Sequence, residues 1–123
     1  MQVELVAPER MIWSGEAEMV IARTLVGDIG ILPHHVPLLG VLAEAPVRIR
    51  RSEGDELVAA VHGGFLSVGR ESVQVLAEVV ELAEEIDVGR ARQALDRAKG
   101  EEGEEAAAAV RRANARLRAA GES

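Results

Sequence analysis

Four arginines near the end of the chain have a spacing that could serve to capture a polyphosphate. Arg90 and Arg97 are seven residues apart, and Arg112 and Arg116 are four apart, so each pair falls on one face of a helix. The fixed fork of donors on arginine suits bidentate contact with phosphate oxygens. The competing interpretation is that all four form surface ion pairs with nearby Glu and Asp, each worth about 0 to 1 kcal/mol. Spacing alone favours these surface pairs.

Asp87 and Ala91 lie beside the first of these arginines and have the same two interpretations. Asp87 stands where the N-cap of a helix is expected, and capping explains it fully. A role in orienting Arg90 or a ligand amine is optional. Ala91 leaves room for a flat group to approach the backbone, although a small residue on a packed helix face needs no ligand to explain it.

The three histidines are the only residues that invite a metal hypothesis, since the chain has no cysteine. His34 and His35 are adjacent, so in an extended segment their side chains point in opposite directions, and His62 has no partner at helical ligand spacing. We therefore predict no metal site. A metal-dependent hydrolase that uses His34 or His35 is a remote alternative, which bound metal would support. No nucleophile-elbow or P-loop motif is present, so we predict no catalytic residue.

The charge distribution disfavours a nucleic-acid partner. Formal net charge is -7, and residues 1 to 83 hold 12 acidic against 6 basic side chains, while residues 84 to 123 hold 9 against 8. An acidic surface repels phosphate backbones. No run approaches the ~20 apolar residues of a membrane span. We expect any membrane association to depend on a partner.

The elements that must position these residues divide into two regions. Up to about Leu82, short apolar or alternating segments separated by turn residues favour an all-β sandwich or barrel. The chain is therefore predicted to be mainly β with α. The predicted strands are residues 2 to 7, 10 to 14, 16 to 23, 29 to 32, 37 to 42, 47 to 51, 56 to 61, 64 to 68, 72 to 77 and 78 to 82.

Beyond Glu84 the period becomes helical. Ala91, Ala94, Leu95 and Ala98 fall on one helix face, and after the interruption at residues 100 to 103 a second helix is predicted from Glu104 to Ala120. Two short helices with a tight connection form an antiparallel hairpin. Its apolar stripe is mostly alanine, which gains little on burial. We expect a marginally attached hairpin.

Three sequence blocks resemble the epsilon subunit of the rotary F-type ATP synthase, and the resemblance spans nearly the whole chain. They are residues 27 to 39, with two glycines and two prolines in an apolar run, His62-Gly63-Gly64-Phe65-Leu66, and Ile86-Asp87-Val88-Gly89-Arg90-Ala91. The resemblance implies a ten-stranded β-sandwich over residues 1–84 and a two-helix hairpin over residues 85–123. In that family a glycine usually occupies the position of His34.

The resemblance also implies partners. The sandwich would contact the gamma shaft and the membrane-embedded c-ring, with Asp28, His35 and Leu38 in the contact. The hairpin would permit turnover when it is folded on the sandwich, and would oppose ATP hydrolysis when it extends along gamma toward the alpha and beta subunits. The weak alanine packing fits an element with two states.

In some members of that family, ATP stabilises the folded hairpin. No cofactor is required, but a regulatory ATP is implied by eight matching positions: Glu81, Ile86, Asp87, Arg90, Ala91, Arg97, Arg112 and Arg116. The implied function is that of a non-catalytic rotor subunit, peripheral on the cytoplasmic face of a bacterial plasma membrane, which couples proton flow to ATP synthesis. The alternative from another class is a free-standing β-sandwich module that senses nucleotides.

Overall fold

Strands fill the first two thirds of the chain and two helices follow. A computed structural model describes residues 1–122. The elements are β1 (Gln2–Ala7), β2 (Arg10–Thr24), β3 (Gly27–Ile31), β4 (Leu38–Leu42), β5 (Ala45–Arg51), β6 (Glu56–Val68), β7 (Ser72–Leu82), a 3-10 turn (Ala83–Glu85), α1 (Val88–Lys99) and α2 (Glu104–Ala119).

The predicted class, mainly β with two helices, is confirmed, but the prediction of ten strands is wrong. Three pairs of predicted segments are single long strands, namely β2, β6 and β7. In β6 and β7 the buried face changes phase where the two strands bend together at Gly63, which has φ +66°. In β2 the register shifts between Ala17 and Met19. A change of phase in one bent strand looks, in sequence, like two strands with a break between them.

The strands close on themselves in two layers. β1 pairs antiparallel with β2 and parallel with β7, while β6 pairs with β4, β5 and β7. β5 also pairs with β2, which completes the circuit. The core between the layers consists of aliphatic side chains, and its largest fully buried members are Leu5, Ile31, Ile49, Leu66, Val3, Val20, Val61, Val73 and Val75.

The helical hairpin packs on the outside of β5 and β6 through small residues. Ala115 and Ala119 of α2 contact Ala60 of β6, with Val58 and Ile86 at the edge of this cluster. The predicted apolar face of α1 is confirmed, because Ala91 and Ala98 are buried there. Asp87 caps α1 as expected, since its Oδ1 accepts from the Arg90 backbone N–H at 3.0 Å. No helix within residues 1–122 is long and apolar enough to span a membrane.

Candidate functional site

A polar cleft of about 310 Å³ lies where the end of β7 meets the two helices. Its floor comes from β7 and the 3-10 turn, one wall from the first turns of α1, and the other from α2. The lining residues are Glu81, Glu85, Ile86, Asp87, Arg90, Ala91, Ala94 and Arg116.

The three carboxylates of the cleft are already engaged by protein donors. Asp87 accepts from the α1 backbone, and Glu85 Oε1 accepts from the Leu82 backbone N–H at 3.2 Å. Glu81 Oε1 accepts from Arg116 Nε at 2.7 Å. Within residues 1–122 no carboxylate forms an ion pair with the guanidinium of Arg90. Arg90 is therefore the cation of the cleft that has no ion-pair partner in the part of the chain that the structure describes, and its guanidinium is available to an anionic ligand.

The structure brings together six of the eight positions implied for ATP, leaving Arg97 and Arg112 outside the lining of the cleft. Arg112 pairs with Glu105 within α2 at 2.8 Å. Arg97 lies exposed near the end of α1. Two lining residues, Glu85 and Ala94, are not among the eight positions implied for ATP, although Ala94 lies on the predicted apolar face of α1.

A buried histidine stands behind the cleft. His62 on β6 is only 7% exposed, and its Nε2 lies 2.9 Å from the same Glu81 Oε1 that Arg116 contacts. Its Nδ1 lies 3.1 Å from Glu44 Oε2. A row of hydrogen-bonded side chains thus runs from the sandwich into α2, in the order Glu44, His62, Glu81 and Arg116. The sequence does not predict the pairing of His62 with Glu44 and Glu81, because these partners are 18 and 19 residues away.

The other two histidines lie in the loop between β3 and β4, away from this cleft. His34 Nδ1 pairs with Glu71 Oε1 at 2.9 Å, and His35 Nδ1 lies 2.7 Å from the Val36 carbonyl. Residues 1–122 contain no group of three or more His, Cys, Asp or Glu arranged to hold a metal. His34 has φ 67°, the left-handed region that favours glycine. A glycine at this position would avoid the strain that His34 carries.

The three residues implied for partner contact lie along the β3–β4 segment, but its large exposed side chains are different ones. Asp28 on β3 is bound by Arg23 Nε at 2.7 Å, and this hydrogen bond, with the attraction of the guanidinium, lowers the pKa of Asp28. His35 and Leu38 are half-buried. The exposed apolar residues nearby are Leu32, Val36 and Leu39. The sequence gives no signal for the exposure of Leu39, because β4 reads Leu-Leu-Gly-Val-Leu without polar alternation.

A continuous apolar row crosses the outer face of the sandwich. Strand pairing places Val41 beside Phe65, Phe65 beside Leu76, Leu76 beside Val6, and Val6 beside Met11. Phe65 and Met11 are each 50% exposed. We call these five residues the outer apolar row.

A polar row runs parallel to the outer apolar row, two residues away along the strands. It contains Ser67, Gln74 and Glu4, and Gln74 donates to Glu4 at 2.8 Å. An apolar strip with a polar rim has the composition of a protein–protein interface.

Comparison with known proteins decides the family. The profile described as "ATP synthase, Delta/Epsilon chain, beta-sandwich domain" matches residues 1–83. The chain belongs to the ATP synthase delta/epsilon family. A curated "ATP synthase epsilon chain" of Streptomyces griseus subsp. griseus is 57% identical over 119 residues, covering 97% of this chain and 94% of that one. The epsilon chain of Thermobifida fusca is 54% identical over 123 residues, covering 96% of this chain and 90% of the relative.

Solved structures share the fold of this family member. A chain of the Euglena gracilis mitochondrial ATP synthase, in a structure of OSCP, F1 and c-ring, has TM-score 0.86 at 22% identity and covers 98% of this chain and 80% of its own length. A chain of the Tetrahymena thermophila mitochondrial ATP synthase, in a structure of the central stalk and c-ring, has TM-score 0.62 at 18% identity. The match covers 100% of this chain and 96% of the Tetrahymena chain. The fold of this chain is therefore shared by chains of two mitochondrial ATP synthases.

Proposed function

We propose that this chain is a non-catalytic rotor subunit in the central stalk of a proton-translocating ATP synthase, where it couples proton flow to ATP synthesis. The observation that carries the proposal is the 57% identity to a bacterial epsilon chain over 97% of this chain. The subunit would be peripheral, on the cytoplasmic face of a bacterial plasma membrane, and held there by its partners. It would transmit torque and perform no chemistry of its own.

Two surfaces of the sandwich support this proposal, and each suits a different partner. The outer apolar row, with its polar rim, suits the flank of the gamma subunit. The β3–β4 segment suits the polar loops of the c-ring, through Asp28 and His35 and with Leu38 beside the more exposed Leu39. These surfaces lie on one module, so a single rigid sandwich would join shaft to ring.

Affinity capture from source membranes tests the rotor assignment. The tagged chain should recover gamma, alpha, beta and c subunits, and Phe65→Glu should reduce this recovery by introducing a charge into the apolar row. Ser67→Glu is the matched control, because it places the same charge on the same strand and face in the polar row. Recovery of none of these subunits by the unaltered chain would overturn the assignment and favour a free-standing nucleotide sensor.

The hairpin would be the regulatory part of this subunit. In the docked form described here it would permit turnover, and released along gamma to alpha and beta it would oppose ATP hydrolysis. α2 contacts the sandwich mainly through alanines, and within residues 1–122 Arg116 to Glu81 is its only side-chain hydrogen bond to a strand. Such a joint can open at low cost.

Regulatory ATP would bind in the cleft and stabilise the docked hairpin. Arg90 and Arg116 would hold phosphate oxygens, while Ile86, Ala91 and Ala94 offer an apolar wall for the base. The volume of about 310 Å³ is at the low end for small-molecule pockets. Arg97 and Arg112 would join only if their side chains turned toward the ligand, which for Arg112 means leaving Glu105.

Isothermal calorimetry tests this site on the purified chain. We expect saturable ATP binding that Arg90→Ala removes, since that change deletes the uncommitted cation of the cleft. Arg118→Ala is the control, because it removes an equal charge from α2 outside the lining. Absence of binding by the unaltered chain up to millimolar ATP would return the arginines to surface pairing and leave the rotor assignment standing.

A further inference from the structure

The imidazole of His62 is held between two carboxylates, and this fixes its hydrogen-bonding role. Nδ1 faces Glu44 and Nε2 faces Glu81, at 3.1 and 2.9 Å. An ionised carboxylate only accepts hydrogen bonds, whereas a neutral imidazole has one donor nitrogen and one acceptor nitrogen. With both carboxylates ionised, both contacts are satisfied together only when the ring carries two protons. The docked structure therefore has the geometry of an imidazolium.

One oxygen atom connects this ring to the cleft. Glu81 Oε1 accepts from His62 Nε2 on the sandwich side and from Arg116 Nε on the hairpin side. If Arg116 turned toward a ligand phosphate, Glu81 would lose one of its two cationic partners. Only a protonated His62 would leave that carboxylate paired with a positive charge. His62 thus determines how readily Arg116 is released.

We propose that His62 is a positioning residue that makes nucleotide binding at this cleft proton-linked, so that ATP binds more tightly as pH falls. This inference rests on the proposed ATP site and adds its regulation. His62 touches no ligand; it acts by holding Glu81 when Arg116 exchanges that carboxylate for a phosphate. The docked hairpin would then respond jointly to ATP and to protons.

The charges around the His62 ring determine the direction in which ATP affinity changes with pH. Glu44 from the β4–β5 connection and Glu81 from β7 face it directly, and Arg116 from α2 lies beyond Glu81. A bound triphosphate adds several negative charges on the far side of Arg116, which favours the protonated ring. By linkage, a ligand that favours protonation is itself bound more tightly when the site is protonated.

The remaining charged groups of the cleft are Glu85, Asp87 and Arg90. The two carboxylates favour the protonated ring in the free and the ATP-bound chain alike. Arg90 opposes protonation most in the free chain, since bound phosphate would neutralise it. The net change on binding therefore has the same sign.

The test is ATP affinity at pH 8 and pH 6, measured by calorimetry at constant ionic strength. We expect the affinity of the unaltered chain to rise about fivefold toward pH 6, the low end of coupling between interacting sites. His62→Gln, which cannot take up a proton, should lack this rise. The terminal phosphate of ATP also titrates in this range, and the variant supplies that background. His34→Gln, an exposed histidine away from the cleft, should behave as the unaltered chain.

The outcomes distinguish failure of the His62 proposal from failure of the proposed ATP site. An equal pH dependence in the unaltered chain and in His62→Gln would overturn the role of His62 and leave the ATP site standing. Absence of saturable binding at both values of pH would overturn both. If His62→Gln does not fold by circular dichroism, Glu44→Gln takes its place. That variant makes protonation of the ring less favourable in the free and the ATP-bound chain, so the rise should move to lower pH, and a rise over the same pH range as in the unaltered chain would contradict the proposal.

Discussion

The sandwich and the hairpin are stabilised by different means. The nine largest fully buried side chains are Leu, Ile and Val, and all lie in strands. The buried residues of the two helices are alanines, apart from Leu117. A buried methylene or methyl gains about 0.8 kcal/mol, against about 1.5 to 3 kcal/mol for a buried Leu or Val. The fold thus joins a strongly packed module to a weakly packed one.

The difference teaches where movement can occur in this subunit. Strand pairing closes the sandwich in a circuit of β1, β2, β5, β6 and β7. Each of these strands pairs with a neighbour on both sides, so none can leave without breaking two ladders. The hairpin is joined to the strands by a small apolar cluster and one ion pair. We therefore expect that the hairpin can leave the sandwich at low cost while both helices and the sandwich stay folded.

The sharpest test of this comparison is to truncate one leucine in each region. Leu66 on β6 is 0% exposed, and Leu66→Ala should destabilise the sandwich by about 2 to 5 kcal/mol. Leu117→Ala makes the same change in α2 and should affect chiefly the hairpin. Urea unfolding followed by Trp13 fluorescence, which reports on the sandwich, distinguishes the two. Equal losses would mean that the regions unfold as one unit.

A second test concerns the bend that the two long strands share. A Cβ on Gly64 would stand 2.1 Å from the Leu76 carbonyl oxygen, so Gly64→Ala must push β6 and β7 apart. We expect a loss of about 3 kcal/mol in the stability of the sandwich. Gly40→Ala on β4 is the control, because the nearest atom to its Cβ would be Thr24 Cγ2 at 3.5 Å, an ordinary van der Waals contact. A similar loss in both variants would point to strand propensity as the cause and not to close approach.

The hairpin joint can be weakened without touching the sandwich. Arg116→Met keeps most of the side chain but removes the ion pair with Glu81, and should cost about 1 kcal/mol of docking. Amide hydrogen exchange in α1 and α2 should then be about fivefold faster, with β-strand exchange unchanged. Arg112→Met is the control, because Arg112 is 35% exposed against 30% for Arg116 and its ion pair lies within α2. If the Arg116 to Glu81 ion pair holds the hairpin on the sandwich, Arg116→Met should accelerate hydrogen exchange in the helices more than Arg112→Met does.

The accuracy of the sequence predictions follows the same division. Alternation and helical period identified the faces of the strands and of α1, because those patterns are local. The strand count failed at Gly63, where a bend changes the phase of alternation within one strand. Sequence could not reveal the His62 cluster, because Glu44, Glu81 and Arg116 come from three separate elements. That the hairpin folds back to place Arg116 beside Glu81, 35 residues away, depends on tertiary packing.

Two ion pairs of equal length make the last comparison of the two regions. Arg23 to Asp28 and Arg116 to Glu81 both measure 2.7 Å, but the first lies within one β-hairpin of the sandwich. Its hydrogen bond lowers the pKa of Asp28, with the charge attraction second. Because the folded pKa is depressed, the contribution to stability is present above the ordinary value near 4 and is lost as pH falls through the folded value.

Arg23→Gln should therefore raise the pKa of Asp28 toward the ordinary value, as measured by NMR titration of the carboxyl group. Arg23 and Asp28 are both well exposed, so we expect this change to leave hydrogen exchange in α1 and α2 unaltered. We interpret the effect of an ion pair on docking as set by the elements that it joins and not by its length. Faster hydrogen exchange in α1 and α2 of Arg23→Gln would contradict this interpretation. On that view, the two pairs differ because only the Arg116 pair joins elements that can separate.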